Sequence, residues 1–268
     1  MNFYAKRMSN ITPIKKDIIE KILEYSNGKQ IKALDVGCGS GDISRKLSEN
    51  GIWCMAIDKD FLGVPQEETE LYHPIYANII ELYSNKISMV RNDFDVILFS
   101  SVLHEIPNAL ELLKTIVEYN KKPVRVIISE PLADDGKLLT KQLKAALDDI
   151  YETKKARNKH KKLCLEYIGN GKIQSDIFAN QSPYFAMLNS AFVEVYGKAS
   201  RKREMQQMRY TFSTEDWLNV FFNNFKVKHA LHHYVLDLGY KELFEEVGLE
   251  DIFNELKYTH TIAIYDIE

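Results

Sequence analysis

The sequence predicts an α/β fold: a doubly wound, seven-stranded, mostly parallel sheet with an N-terminal helix and a helical insertion. Three observations predict it. From residue 31 onward, short apolar runs alternate with helix-periodic stretches, the rhythm of strands joined by crossover helices. Two of those runs, Val96-Ile97-Leu98-Phe99 and Val126-Ile127-Ile128, are apolar on both faces, as strands covered on each side must be. The third is a glycine-rich turn, Gly37-Cys38-Gly39-Ser40-Gly41, set directly between an apolar run and a helical stretch.

Thr12 followed by Pro13 starts the first helix, with a side-chain cap and then a residue whose fixed backbone suits the first turn. Ile14, Ile18, Ile19, Ile22 and Leu23 share one face of it, and Asn27-Gly28 ends it. Strands follow at about 31 to 37, 53 to 58, 73 to 77, 94 to 100 and 124 to 130. Between the last two, Pro107 opens a helix whose buried face uses Leu110, Leu113, Ile116 and Val117. Residues 137 to 211 break the rhythm with long helical stretches interrupted by Gly169-Asn170-Gly171. Thr211-Phe212-Ser213-Thr214, followed by Glu215 and Asp216, restarts a capped helix with negative charge in its first turn. Two final strands, Phe225 to Val235 and Tyr258 to Tyr265, alternate apolar and polar residues around a helical stretch at 241 to 256. The chain thus divides into an N-terminal helical segment (1–30), an α/β core (31–132), a helical insertion (133–211) and the return of the core (212–268).

Composition excludes several classes. With 45% hydrophobic and 27% charged residues, the chain is neither disordered nor fibrous. A net charge of -3 gives no global pull on nucleic acid, so any basic surface is local. Cys38, Cys54 and Cys164 have neither metal-knuckle nor disulfide-framework spacing, so no metal site is expected and a reducing cytoplasm is the expected setting. No apolar stretch approaches the roughly 20 residues that span a bilayer, so no membrane partner is expected.

The chemistry concentrates in Leu34-Asp35-Val36-Gly37-Cys38-Gly39-Ser40-Gly41-Asp42-Ile43. Glycines let the backbone turn sharply and approach a ligand closely, with free amides at the helix start facing it. The spacing is GxGxG, without the GxGxxG of dinucleotide binders or the lysine of a P-loop. Asp35 would repel a pyrophosphate but suits an ammonium. Asp58 ends the next strand about 20 residues on, where a carboxylate can accept both hydroxyls of a ribose. These residues resemble the class I methyltransferases that use S-adenosylmethionine (SAM) and release S-adenosylhomocysteine (SAH).

The resemblance covers residues 31 to 132 closely and the last two strands loosely. It implies that Asp35, Gly37, Cys38, Gly39 and Gly41 lie against the methionine and ribose portions of SAM, with Asp58 on the ribose and Lys59 beside it. Asn78 and Ile79 stand where the family often places an acidic residue near the adenine amino group; an amide oxygen can accept the same hydrogen bond. Ser100 ends the fourth strand beside the methyl donor, and Ser101-Val102-Leu103-His104-Glu105 follows it.

A sulfonium makes its methyl carbon electrophilic unaided, so the protein must align an acceptor and, for a hydroxyl, remove a proton. His104 is the first candidate base, because open α/β sheets bind ligands at the C-terminal edge and its ordinary pKa is near 6.5. Glu105 and Glu130 are weaker candidates on the same grounds. His232 and His233 are adjacent on a strand and face opposite sides, so at most one can serve a shared site.

The segment Lys154 to Lys162 holds six basic and no acidic residues, and Arg201-Lys202-Arg203 adds a second cluster. A solvated helix face explains both; an anionic acceptor or RNA is the alternative they leave open. Tyr184, Phe185, Met187 and Met208 fit a core as well as an apolar acceptor pocket. There is no (N/D)PP(Y/F/W) motif and no Pro-Cys pair, which sets aside the common DNA base methylations. The leading expectation is methyl transfer to oxygen or nitrogen of a small molecule, with residues 1–30, including Tyr4, and 133–211 as the acceptor lid. RNA methylation and a non-catalytic SAM sensor are the alternatives. The oligomeric state is not legible.

Overall fold

The computed structural model describes residues 12–84, 93–103, 106, 108–131, 214–236 and 260–268, together with positions 241, 245 and 254. The expectations for the N-terminal eleven residues, for His104, Glu105 and Pro107, and for the insertion with its basic clusters and aromatic residues lie outside the described residues. So does most of the helical stretch at 241 to 256.

Helix α1 (Pro13–Ser26) begins where the cap predicts: the Thr12 hydroxyl oxygen accepts from the Lys15 amide at 3.4 Å. It ends at Asn27, whose left-handed backbone (φ 45°) turns the chain away. Its isoleucines are buried, while Leu23 is only partly so. Next come β1 (Lys32–Val36), α2 (Asp42–Glu49), β2 (Trp53–Asp58), a single tight turn at Phe61–Gly63, β3 (Tyr72–Tyr76), α3 (Ile79–Ser84), β4 (Val96–Ser100), α4 (Ala109–Tyr119) and β5 (Val124–Pro131). After the insertion come α5 (Thr214–Asn224), β6 (Val227–Val235) and β7 (His260–Ile267).

The seven strands lie in the order β3-β2-β1-β4-β5-β7-β6. β1 to β5 pair in parallel, and β7 runs antiparallel to both β5 and β6. The chain winds outward from β1 to β3, then crosses back to place β4 on the other side of β1. That reversal opens a crevice above the C-terminal ends of β1 and β4, the place where such sheets bind ligands.

Strand alternation divides the core into two layers. Ala33, Ala56, Leu98, Ile127 and Ile262 point to one face and pack with α1 and α2. Leu34, Val36, Ile57, Phe99, Ile128 and Ala263 point to the other and pack with α3, α4 and α5. There Phe221 stacks on Tyr265 with ring centres 3.9 Å apart.

Three expectations are corrected. The last strand runs over His260–Ile267 and not Tyr258 to Tyr265, and all its residues but Asp266 are buried, because it lies inside the sheet between β5 and β6. In α4, Leu112 is buried and Leu110 only partly so, since the helix begins at Ala109 after an Asn108 with φ 58°. The strand before it starts at Val96, two residues late, although the Asp95 backbone still bonds Lys32 and Arg125 on either side and its carboxylate accepts from the Lys32 amide and pairs with Lys122. The opposed faces of the adjacent histidines are as predicted: His233 reaches Asp17 of α1 at 3.0 Å, while His232 lies edge-on to Tyr265 on the other layer.

Among the described residues no helix is long and apolar enough to cross a membrane, and no cluster of three or more His, Cys, Asp or Glu side chains could hold a metal.

Candidate active site

The glycine loop joins β1 to α2 at the lip of the crevice. Gly37 has φ 64°, and a side-chain carbon there would meet the Val102 side chain at 2.2 Å. Only glycine lets the post-β4 segment come so close. Gly41 is similarly enclosed, with the Tyr72 hydroxyl 2.5 Å from where a side-chain carbon would lie.

Most of the amides of the loop itself are spent inside the protein. Those of Gly37 and Cys38 donate to the Ile57 carbonyl at 2.8 and 3.1 Å, and Gly41 donates to the Cys38 carbonyl at 3.0 Å. The Gly39 amide donates to Asp58 at 2.9 Å. A phosphate cradle needs free amides, so this loop is poorly suited to one.

Asp58 therefore does more than end a strand. Besides Gly39, its carboxylate accepts the amides of Asp60 at 3.1 Å and Phe61 at 3.3 Å. A carboxylate offers about four acceptor positions, so roughly one remains for a ligand hydroxyl. Burial raises its pKa above the ordinary carboxylate value, and the Asp60 and Gly39 amides oppose that rise.

Asp35 lies beneath the loop on the α1–α2 face, 3% exposed. One carboxyl oxygen accepts from the Ser44 hydroxyl; the other is buried and has no hydrogen-bond partner. Burial foremost pushes its pKa up to about 7, against the Ser44 hydrogen bond. Lys15 lowers it only weakly, and an ammonium brought beside Asp35 would favour the carboxylate further.

A buried polar network fixes the helix that follows. Asp42 accepts from Lys15 of α1 at 2.8 Å, from the Ser40 hydroxyl at 2.7 Å and from Arg45 at 2.8 Å. Gln66 then ties Arg45, the Tyr72 hydroxyl and the Ser40 carbonyl together. Sequence patterns gave no sign of this network, because its members come from four separate segments.

A family model described as a methyltransferase domain matches residues 5–252 of this chain. The chain belongs to that methyltransferase family. The ubiquinone biosynthesis O-methyltransferase of Rickettsia canadensis (strain McKiel) is 30% identical over 127 residues, 44% of this chain and 51% of that protein. The chain thus spans about half the length of the curated relatives it matches. Among solved structures, magnesium protoporphyrin IX methyltransferase from Synechocystis PCC 6803 with bound SAH superposes with TM-score 0.53 at 11% identity, over 100% of this chain and 89% of that one. A SAM-dependent methyltransferase from Archaeoglobus fulgidus does so with TM-score 0.50 at 12% identity, over 95% and 94%. The fold is that of the class I methyltransferases, whose methyl donor is SAM and whose product is SAH.

In this member of the family the other predicted site residues fall along the same edge. Cys38 is half-buried, and burial together with Asp35 and Asp58 pushes its thiol well up, so it stays neutral. Lys59 is exposed beside Asp58. Asn78 is exposed, and its side-chain oxygen accepts the Ile80 amide at 3.0 Å at the start of α3, which leaves one lone pair. Ile79 turns its side chain into the core. Ser100, half-buried, ends β4 level with Ser129.

Glu130 holds backbone amides of the post-β4 segment. It is 3% exposed, and its Oε1 accepts the amides of Val102 at 2.8 Å and Leu103 at 2.7 Å. The sequence offers it as a weaker candidate base and does not show its hold on these two amides. The signal that finds it is an acidic residue at the end of a core strand, next to a loop whose amides need acceptors.

Proposed function

We propose that this methyltransferase transfers the SAM methyl group to an oxygen or nitrogen of a small-molecule acceptor, with oxygen favoured. The observation that carries the cofactor site is the buried, unpartnered oxygen of Asp35 beneath a glycine loop pinned by Asp58. Bound there, SAM supplies a methyl carbon already electrophilic through its sulfonium.

The residues divide the remaining work. Asp35, as a carboxylate, holds the cofactor's ammonium against the loop formed by Gly37, Cys38, Gly39 and Gly41. The acceptor position left on Asp58 takes a ribose hydroxyl, with Lys59 at the rim. Asn78 offers its remaining lone pair to the adenine amino group, and Ile79 contributes backbone. Ser100 bounds the methyl side. His104, which follows the anchored Val102 and Leu103 directly, takes the proton from an acceptor hydroxyl, and Glu105 supports it. Segments 1–30 and 133–211 form the lid that selects the acceptor, since specificity must come from outside the shared cofactor scaffold.

The preference for oxygen is supported by the relatives' name, ubiquinone biosynthesis O-methyltransferase. The test is calorimetry with SAM and SAH, followed by incubation of methyl-labelled SAM with a panel of phenols, carboxylic acids and amines. SAH binding with label on a phenol or acid supports the reading. Label on amines alone moves it to nitrogen. Binding without transfer to any of them or to a small-molecule extract leaves a SAM sensor, and no binding overturns the cofactor site.

A further inference from the structure

We infer that Glu130 is a positioning residue: it latches the post-β4 segment so that Val102 closes against Gly37 and completes the wall of the cofactor crevice. The inference rests on the placement of SAM at the glycine loop proposed above.

Three consecutive amides after β4 are all held by the end of β5. Ser101 donates to the Ser129 carbonyl at 2.7 Å, and Val102 and Leu103 both donate to Glu130 Oε1. To present them this way the chain bends at Ser101, a non-glycine residue at φ 54°, a conformation that needs outside support. The bend carries Val102 across the top of the sheet to Gly37, where no side-chain carbon would fit. Leu103 is fully buried behind it, so the segment is seated from both sides. Glu130 therefore sets a wall of the crevice without lying on the glycine loop itself.

This role uses an oxygen acceptor, not a base and not a negative charge as such. A glutamine carbonyl can accept the same two amides, whereas alanine leaves both buried without a partner. The geometry also makes Glu130 and Val102 act as one unit, so removing both should cost little more than removing the more damaging one.

The experiment measures SAH affinity by calorimetry, well below each variant's Tm, for the parent protein, Glu130→Gln, Glu130→Ala, Val102→Ala, the double variant Glu130→Ala/Val102→Ala, and Gly39→Arg as a control at the loop. The expected result is that Glu130→Gln stays within about threefold of the parent, Glu130→Ala binds at least about tenfold more weakly, and the double variant is clearly less than multiplicative. If Glu130→Ala binds SAH as the parent does, or if Glu130→Gln loses as much as Glu130→Ala, the latch is wrong. Should Glu130→Ala fail to fold, Glu130→Gln and Val102→Ala decide: near-parent affinity in the first with a several-fold loss in the second supports the latch, and any other pattern overturns it. A parent that does not bind SAH, or a Gly39→Arg variant that binds normally, would instead refute the cofactor placement.

Discussion

Lys15, on the first turn of α1, lies 2.8 Å from Asp42, on the first turn of α2, and their side chains are 19% and 4% exposed. The pair joins the N-terminal helix to the helix that the glycine loop opens. Lys15→Met should strand part of a buried charge, although Arg45 and Ser40 still hold Asp42. We expect a loss of about 1–3 kcal/mol, below the full cost of an orphaned buried ion. Urea unfolding checks the value. SAH affinity should fall with it, since the loop's anchor has loosened.

Asp35 makes a pH prediction with a definite sign. Its folded pKa is raised to about 7, so between the unfolded value near 3.9 and that point the unfolded chain has released a proton the folded one keeps. Its contribution to stability is therefore neutral below about pH 4, worsens as pH rises, and levels off above about 7. The upper limit is about 1.4 kcal/mol per pH unit. Asp35→Asn should remove this slope, so the stability difference between parent and variant, followed by Tm from pH 4 to 8, should shift in favour of the variant as pH rises.

Ligand binding should act on Asp35 in the opposite sense. An ammonium placed beside it favours the carboxylate, so SAH should bind more tightly as pH rises through 7, with release of part of a proton. Calorimetry in two buffers of different ionisation enthalpy measures that proton directly. Asp35→Asn should bind weakly at all pH values and release none.

Asp58→Ala leaves three backbone amides without their acceptor and removes the proposed ribose contact. Charged hydrogen bonds are worth about 1.5–3 kcal/mol each, so SAH affinity should drop by roughly two orders of magnitude. Asp58→Asn should recover part of this, because an amide oxygen still accepts from Gly39.

Arg125 and Asp266 form a two-point pair at 2.7 and 2.8 Å between β5 and β7, and the guanidinium lies over the Tyr25 ring at 4.2 Å. This is the sheet edge opposite the crevice. Arg125→Lys loses both the fork and the flat stacking surface, which should lower stability by about 1–2 kcal/mol. SAH affinity, measured by calorimetry, should not change.

Much of this fold was legible because its signals are local. Runs such as Val96 to Phe99 must be strands buried on both faces, and Thr12-Pro13 with Asn27 bounds a helix by backbone chemistry alone. The glycine loop was legible for the same reason. What escaped was non-local. The alternation in β7 marks it as a strand, but nothing in eight residues reveals that two neighbours will enclose them. Glu130 looked like any strand-end acid, since its partners lie 27 and 28 residues earlier. The Asp42–Arg45–Gln66–Tyr72 network likewise needs folding to bring it together.

The sheet separates the two halves of the site. Asp35 lies on the face shared with α1 and α2, whereas Glu130 follows Ile128 on the face shared with α4, and the segment at 101–103 bridges them over the rim. Mutational drift on one face can therefore reshape the layer behind the latch while the layer around Asp35 keeps its packing. For a protein engineer, that partition marks where a library belongs: residues around α4 and α5 can be varied to retune the rim, with SAH affinity read out for each variant, because the latch on that face carries Val102 to Gly37.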